Sequence, residues 1–177
     1  MKFKHIFVLA AAFLIQGLSF AQTPVTVTFV CTGNTGRSPM AEALAKDYIA
    51  KNNQDIQVHS RGVKVDPNEM TPEEGTVTVL KDRGIDISSH VAQQFAAEDV
   101  EKSTYLLTMG NGHKEKILAQ FPQADGKVFT LAEFATGTHE ELSDPYGEPI
   151  EAYRTVEGQL DKYLPLALNK IATEAKK

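Results

Sequence analysis

Cysteine is nearly missing from this chain: Cys31 is the single one in 177 residues. That excludes a disulfide framework within one chain and a zinc site built on cysteines. Tryptophan is absent altogether, which removes one common stacking residue. No long lysine or arginine run occurs and the formal net charge is -5, so charge gives no support to a nucleic-acid partner. Beyond the N-terminal segment no apolar stretch approaches the ~20 residues that a membrane-spanning helix needs. What is present, 42% hydrophobic and 23% charged residues, is ordinary for one globular domain and excludes disorder, collagen and coiled coil as descriptions of the whole.

The first 21 residues follow a different logic. Lys2 and Lys4 precede an unbroken apolar run from Ile6 to Ile15, and the stretch closes on Leu18-Ser19-Phe20-Ala21. Ser19 and Ala21 are the small residues at positions -3 and -1 of a cut before Gln22, the pattern of a secretory signal peptide. Retention as an anchor is the competing reading, and the run is short for a bilayer. The expectation is a signal peptide over 1–21, a single domain over 22–177, and an exported product, periplasmic or secreted, with no membrane attachment after cleavage. Cleavage removes two lysines and no acid, so the mature charge moves from -5 to -7.

The mature chain alternates strand and helix. Val25–Val30 is β-branched and apolar and predicts a buried strand. Ser38-Pro39 opens a helix in which Met40, Leu44 and Tyr48 repeat at i, i+4. Ile56–Ser60 predicts a second strand. Thr71-Pro72-Glu73-Glu74 reads as a capping box starting a helix that ends near Gly84. Ser103–Thr108 and Lys127–Leu131 predict two more strands, with a helix over Asn111–Phe121 between them. A last helix starts near Pro149, carries an apolar stripe from Ile150 to Ile171, and is expected to kink at Pro165. Such alternation gives right-handed βαβ units and a parallel sheet covered on both faces, with ligands beyond the carboxyl ends of the strands.

The junction after the first strand is Cys31-Thr32-Gly33-Asn34-Thr35-Gly36-Arg37-Ser38. Its two glycines and Asn34 permit positive φ, so that successive backbone N–H groups can form an anion nest. The following helix adds its positive N-terminal end. Arg37 supplies a planar fork that matches two phosphate oxygens. Cys31 lies at the base of this cradle, where the same positive surroundings favour a thiolate and Ser38 can donate to the sulfur. A lone cysteine at a strand end is usually a small buried hydrophobe, yet the full set of a cysteine, five residues, Arg and Ser between a strand and a helix is far rarer than its parts. A nucleotide P-loop would need Lys-Ser/Thr after the second glycine, and this chain has Arg-Ser.

The stretch from Val30 to Ala43 resembles the active-site loop of the low-molecular-weight protein-tyrosine phosphatase family. Gly84–His90, Leu107–Lys114 and Asp144-Pro-Tyr-Gly147 fall in that family's order. The resemblance implies an α/β fold, a single-domain four-stranded parallel sheet flanked by helices on both faces, and no metal or other cofactor. It implies that Cys31 attacks phosphorus and becomes phosphocysteine, that Arg37 clamps the phosphoryl oxygens, and that Asp144 serves as general acid and then base. Thr32, Gly33, Asn34, Thr35, Gly36 and Ser38 would surround the phosphoryl group, with Tyr146 as an aromatic wall. Asn34, Ser60 and His90 match residues that brace the loop.

Thr35 stands where tyrosine-directed members usually carry an apolar residue, and resembles the branch that removes phosphate from arginine side chains. Tyr146-Gly147 and the stretch 127–139 resemble that branch too. The expected substrate is a phosphorylated protein or small phosphate ester, with a preference for phosphoarginine and phosphotyrosine as the alternative. The expected assembly is a monomer or weak dimer. Gly36 replaces the second cysteine of many relatives, so no disulfide can form with the nucleophile, and Arg61 replaces a usual small residue. An arsenate reductase, which needs further cysteines, and a non-catalytic anion-binding module are remoter readings.

Overall fold

A computed structural model of the chain describes residues 24–175. The expected signal peptide lies outside the described residues. Four strands, β1 (Val25–Cys31), β2 (Ile56–Gly62), β3 (Tyr105–Thr108) and β4 (Val128–Thr130), form one sheet in the order β2-β1-β3-β4. Every pairing is parallel, with Val25 opposite Ile56, Val27 opposite Tyr105 and Leu106 opposite Val128. This is the four-stranded parallel α/β fold that the sequence implies.

Strand alternation decides which helices cover which face. Val27, Phe29 and Cys31 of β1, with Leu107 of β3, turn to the larger core cluster. That cluster is closed by α1 (Arg37–Lys51), α2 (Glu74–Asp82), α5 (Leu131–Thr136) and α6 (Ile150–Glu174). Val30 and Leu106 turn the other way, onto Val100 of α3 (Ala97–Lys102) and Ile117 of α4 (Asn111–Gln120). The carboxyl end of the central strand β1 is therefore held from both sides and along both edges. Cys31 is its last residue, opposite Gly62.

Several local expectations are corrected. The Thr71 capping box does not form: α2 begins at Glu74, its N-cap is Glu73, and no side chain caps it. The Glu73 carboxylate is taken instead by Thr35 and Tyr153. Lys127–Leu131 splits, because Leu131 opens α5. Thr130 and Glu133 cap that helix reciprocally, the Glu133 N–H donating to Thr130 Oγ1 at 3.1 Å and the Thr130 N–H to Glu133 Oε2 at 3.2 Å. The short helix α3 has no counterpart in the expected elements; it begins where the Asp99 carboxylate accepts the Ala96 N–H at 2.9 Å. Apart from these corrections, the last helix begins at Ile150 as expected and contains Pro165 within one element. Buried Leu164, Ala167 and Leu168 hold the chain on both sides of the missing N–H.

Candidate active site

The loop from Cys31 to Gly36 leads from β1 directly into α1. Of the three loop residues that permit positive φ, Asn34 adopts it, at 60°, while Gly36 sits at -114°. Asn34 is fully buried and spends every polar group on the loop. Its backbone N–H donates to Cys31 Sγ at 3.3 Å. Its Nδ2 donates to Ser38 Oγ and to Ser60 Oγ, both at 2.9 Å. Its Oδ1 accepts the Gln93 N–H at 2.9 Å, and its carbonyl oxygen lies 2.8 Å from His90 Nε2. The three residues expected to brace the loop thus meet in one network.

Ser38 Oγ stands 3.0 Å from Cys31 Sγ. Its single proton can go to the sulfur or to the Arg61 carbonyl, 3.2 Å away. A thiolate draws it to sulfur, since hydrogen bonds to charged acceptors are the stronger ones. No side chain caps the first turn of α1, so its leading N–H groups stay available to an anion above Sγ.

Arg37 is buried, its side chain 9% exposed, and its Nη2 donates to Asp144 Oδ2 at 2.6 Å. Asp144 is 59% exposed and lies on the loop before α6. Cys31, Thr32, Gly33, Thr35, Gly36, Arg37, Asp144 and Tyr146 line one cavity, while Asn34, Ser38, Ser60 and His90 stand behind it. The Arg37 guanidinium and the Asp144 carboxyl therefore face each other on the wall of this cavity. Tyr146 reaches across the mouth, its hydroxyl 3.1 Å from both carboxylate oxygens of Glu69. Arg61 turns away from the cavity: its Nε donates to Asp99 Oδ1 at 2.9 Å and its Nη1 to the Ser60 carbonyl at 2.8 Å. It therefore fixes the end of β2 to α3. Among the described residues no group of three His, Cys, Asp or Glu side chains could hold a metal ion.

One residue of this region carries no expected role. His113, at the start of α4, is buried with Nε2 3.0 Å from Thr32 Oγ1. Burial, then the nearby Arg37 and Lys116 charges, push its imidazole down to about 4. An unfolded histidine takes up its proton near ~6.5. The unfolded state therefore binds more protons between those values, and stability falls as pH drops from about 6.5 through about 4. The loss amounts to about 3 kcal/mol at the acid end. Urea midpoints at pH 7 and pH 4.5 measure it, and a His113→Gln protein should show the smaller drop of the two.

This fold and this cavity define the class of a cysteine-dependent phosphatase. Residues 26–177 match the family described as low molecular weight phosphotyrosine protein phosphatase, and the chain belongs to that family. It is 38% identical over 151 residues to a protein-arginine-phosphatase of Geobacillus stearothermophilus, covering 85% of this chain and 99% of that one. The solved structure of the YwlE arginine phosphatase of Geobacillus stearothermophilus superposes with a TM-score of 0.78 at 38% identity, covering 85% of this chain and 95% of that one. A low molecular weight protein-tyrosine-phosphatase PtpB of Staphylococcus haemolyticus is 34% identical over 135 residues, 76% of this chain and 91% of that one.

Proposed function

We propose that this chain is an exported protein phosphatase that works through a phosphocysteine intermediate and prefers phosphoarginine. The supporting observation is that Cys31 Sγ, the Arg37 guanidinium and Asp144 converge on one cavity whose wall also carries the polar Thr35. The loop amides and Arg37 hold the phosphoryl oxygens as charge builds on them. Cys31 Sγ attacks phosphorus, the bond to the leaving nitrogen or oxygen breaks, and Asp144 gives that atom its proton. Water then attacks the phosphocysteine, Asp144 takes a proton from it, the S–P bond breaks, and inorganic phosphate leaves with the thiolate restored.

The preference for phosphoarginine rests on the hydroxyl of Thr35 and on the arginine-phosphatase relatives. The tyrosine-phosphatase relative and the aromatic wall of Tyr146 favour phosphotyrosine as the second reading. Export rests on residues 1–21, and among the described residues no helix is long and apolar enough to cross a membrane. The proposed product spans residues 22–177, free of the membrane, as a monomer or weak dimer. Its mass after secretion from a host cell tests the cut before Gln22.

Turnover of phosphoarginine and phosphotyrosine by the native protein and by Thr35→Ile tests the substrate. The expected result is a native preference for phosphoarginine that Thr35→Ile shifts by about tenfold toward phosphotyrosine. A strong native preference for phosphotyrosine, unmoved by the substitution, would refute it.

A further inference from the structure

The cavity wall holds a carboxylate that phosphate hydrolysis does not need. Glu73 lines the same cavity as Cys31 and Arg37. Both of its oxygens are gripped: Thr35 Oγ1 donates to Oε1 at 2.8 Å, and the Tyr153 hydroxyl donates to Oε2 at 2.7 Å. Its backbone N–H donates to the Thr35 carbonyl at 3.0 Å. Tyr153 stays a donor, because burial and then its bond to Glu73 push its hydroxyl well above the usual tyrosine range.

Two glycines make room for this arrangement. A Cβ at Gly36 would lie 2.6 Å from Glu73 Oε1 and 2.8 Å from Oε2. A Cβ at Gly75 would lie 2.4 Å from the Tyr153 ring. Glu73 therefore lies flush against the phosphate loop, and position 36 cannot carry a side chain while it does.

A fixed carboxylate beside a site for a phosphoryl dianion is an electrostatic liability, since like charges repel most where water is partly excluded. It becomes favourable when the substrate brings a cation next to phosphorus. Phosphoarginine does so: the nitrogen that bears the phosphoryl group belongs to a guanidinium whose other N–H groups point outward, in the fork that a carboxylate accepts. The phenyl ring of phosphotyrosine offers no donor there.

We infer that Glu73, held by Thr35 and Tyr153 over Gly36, is the specificity-determining residue that pairs with the substrate guanidinium and repels phosphorylated side chains without a cation. This rests on the phosphoarginine reading above and gives it a mechanism. The Thr35 proton is committed to Glu73, so Thr35 and Tyr153 act as positioning residues through that carboxylate.

The test is kcat/KM for phosphoarginine and for phosphotyrosine in the native protein, Glu73→Gln and Tyr153→Phe, with inorganic phosphate as a competitive inhibitor of each. In Glu73→Gln the phosphoarginine value should fall by about 10- to 100-fold while the phosphotyrosine value rises about threefold, and inorganic phosphate should bind more tightly. Tyr153→Phe should move the ratio in the same direction by about threefold. The inference is overturned if the ratio stays fixed in both variants, or if both substrates lose equally. Should Glu73→Gln fail to fold, the ratio in Tyr153→Phe decides alone. A native preference for phosphotyrosine sinks the substrate reading separately, because Glu73 is judged on the direction of the shift and not on its starting point.

Discussion

Replacing Cys31 with serine is expected to lower kcat by about ten-thousand-fold or more while leaving the fold intact. The attacking atom must be an anion at neutral pH, and a hydroxyl gives up its proton far less readily than a thiol. The cradle itself survives the change. Serine keeps an acceptor for the Asn34 N–H, now 3.3 Å from sulfur, and a neighbour for Ser38 Oγ at 3.0 Å. Every bond of Asn34 to Ser38, Ser60 and Gln93 is untouched. Hydrolysis of p-nitrophenyl phosphate, read beside a thermal melt, separates loss of the nucleophile from loss of the fold. A Cys31→Ser protein that melts normally and keeps more than about a hundredth of the native rate would rule out a phosphocysteine. A silent native protein would point instead to an anion-binding module.

The second large effect is at Asp144, and it has two parts of opposite sign. In the proposed mechanism Asp144→Asn removes the proton donor to the leaving group, which should cost about 10²- to 10³-fold in kcat. The loss should shrink with p-nitrophenyl phosphate, whose leaving group needs little help from an acid. The same substitution also frees Arg37. Arg37 Nη2 donates to Asp144 Oδ2 at 2.6 Å, so a phosphate oxygen that takes this N–H displaces the carboxylate. Asparagine offers a weaker partner and removes a like charge from beside the incoming anion. Inorganic phosphate and vanadate should therefore inhibit Asp144→Asn at lower concentration than the native enzyme. Steady-state inhibition constants check this. Equal or weaker inhibition would mean that the Arg37–Asp144 contact does not gate the site.

The sequence makes the cradle readable because its parts are contiguous. A β-branched strand, a five-residue connection over Thr32–Gly36 and a helix follow one another, so local pattern and final structure coincide at Cys31, Arg37 and Ser38. The braces at Ser60 and His90 lie 26 and 56 positions from Asn34, and only the family resemblance brings them forward. Where tertiary contacts override local rules, local reading fails. Thr71-Pro72-Glu73-Glu74 has the form of a capping box, but the Glu73 side chain is bound by Thr35, 38 positions away, and by Tyr153, 80 positions away. Thr130–Glu133 has the same form and does cap its helix, but at six residues α5 is too short for a helical period to show in the sequence. His113 was invisible for a related reason, since its partner Thr32 is 81 positions away. The glycines at 36 and 75 carry a signal of space, not of backbone conformation, and only coordinates reveal it.

Asn34 has a wider consequence. Its five contacts all go to other residues of the chain itself, so the cradle is shaped by the protein and not by its guest. Capture of a phosphoryl group then forfeits little chain freedom. The same readiness serves the departing orthophosphate as well as the incoming ester, so ambient orthophosphate at high concentration would itself act as a brake on this enzyme.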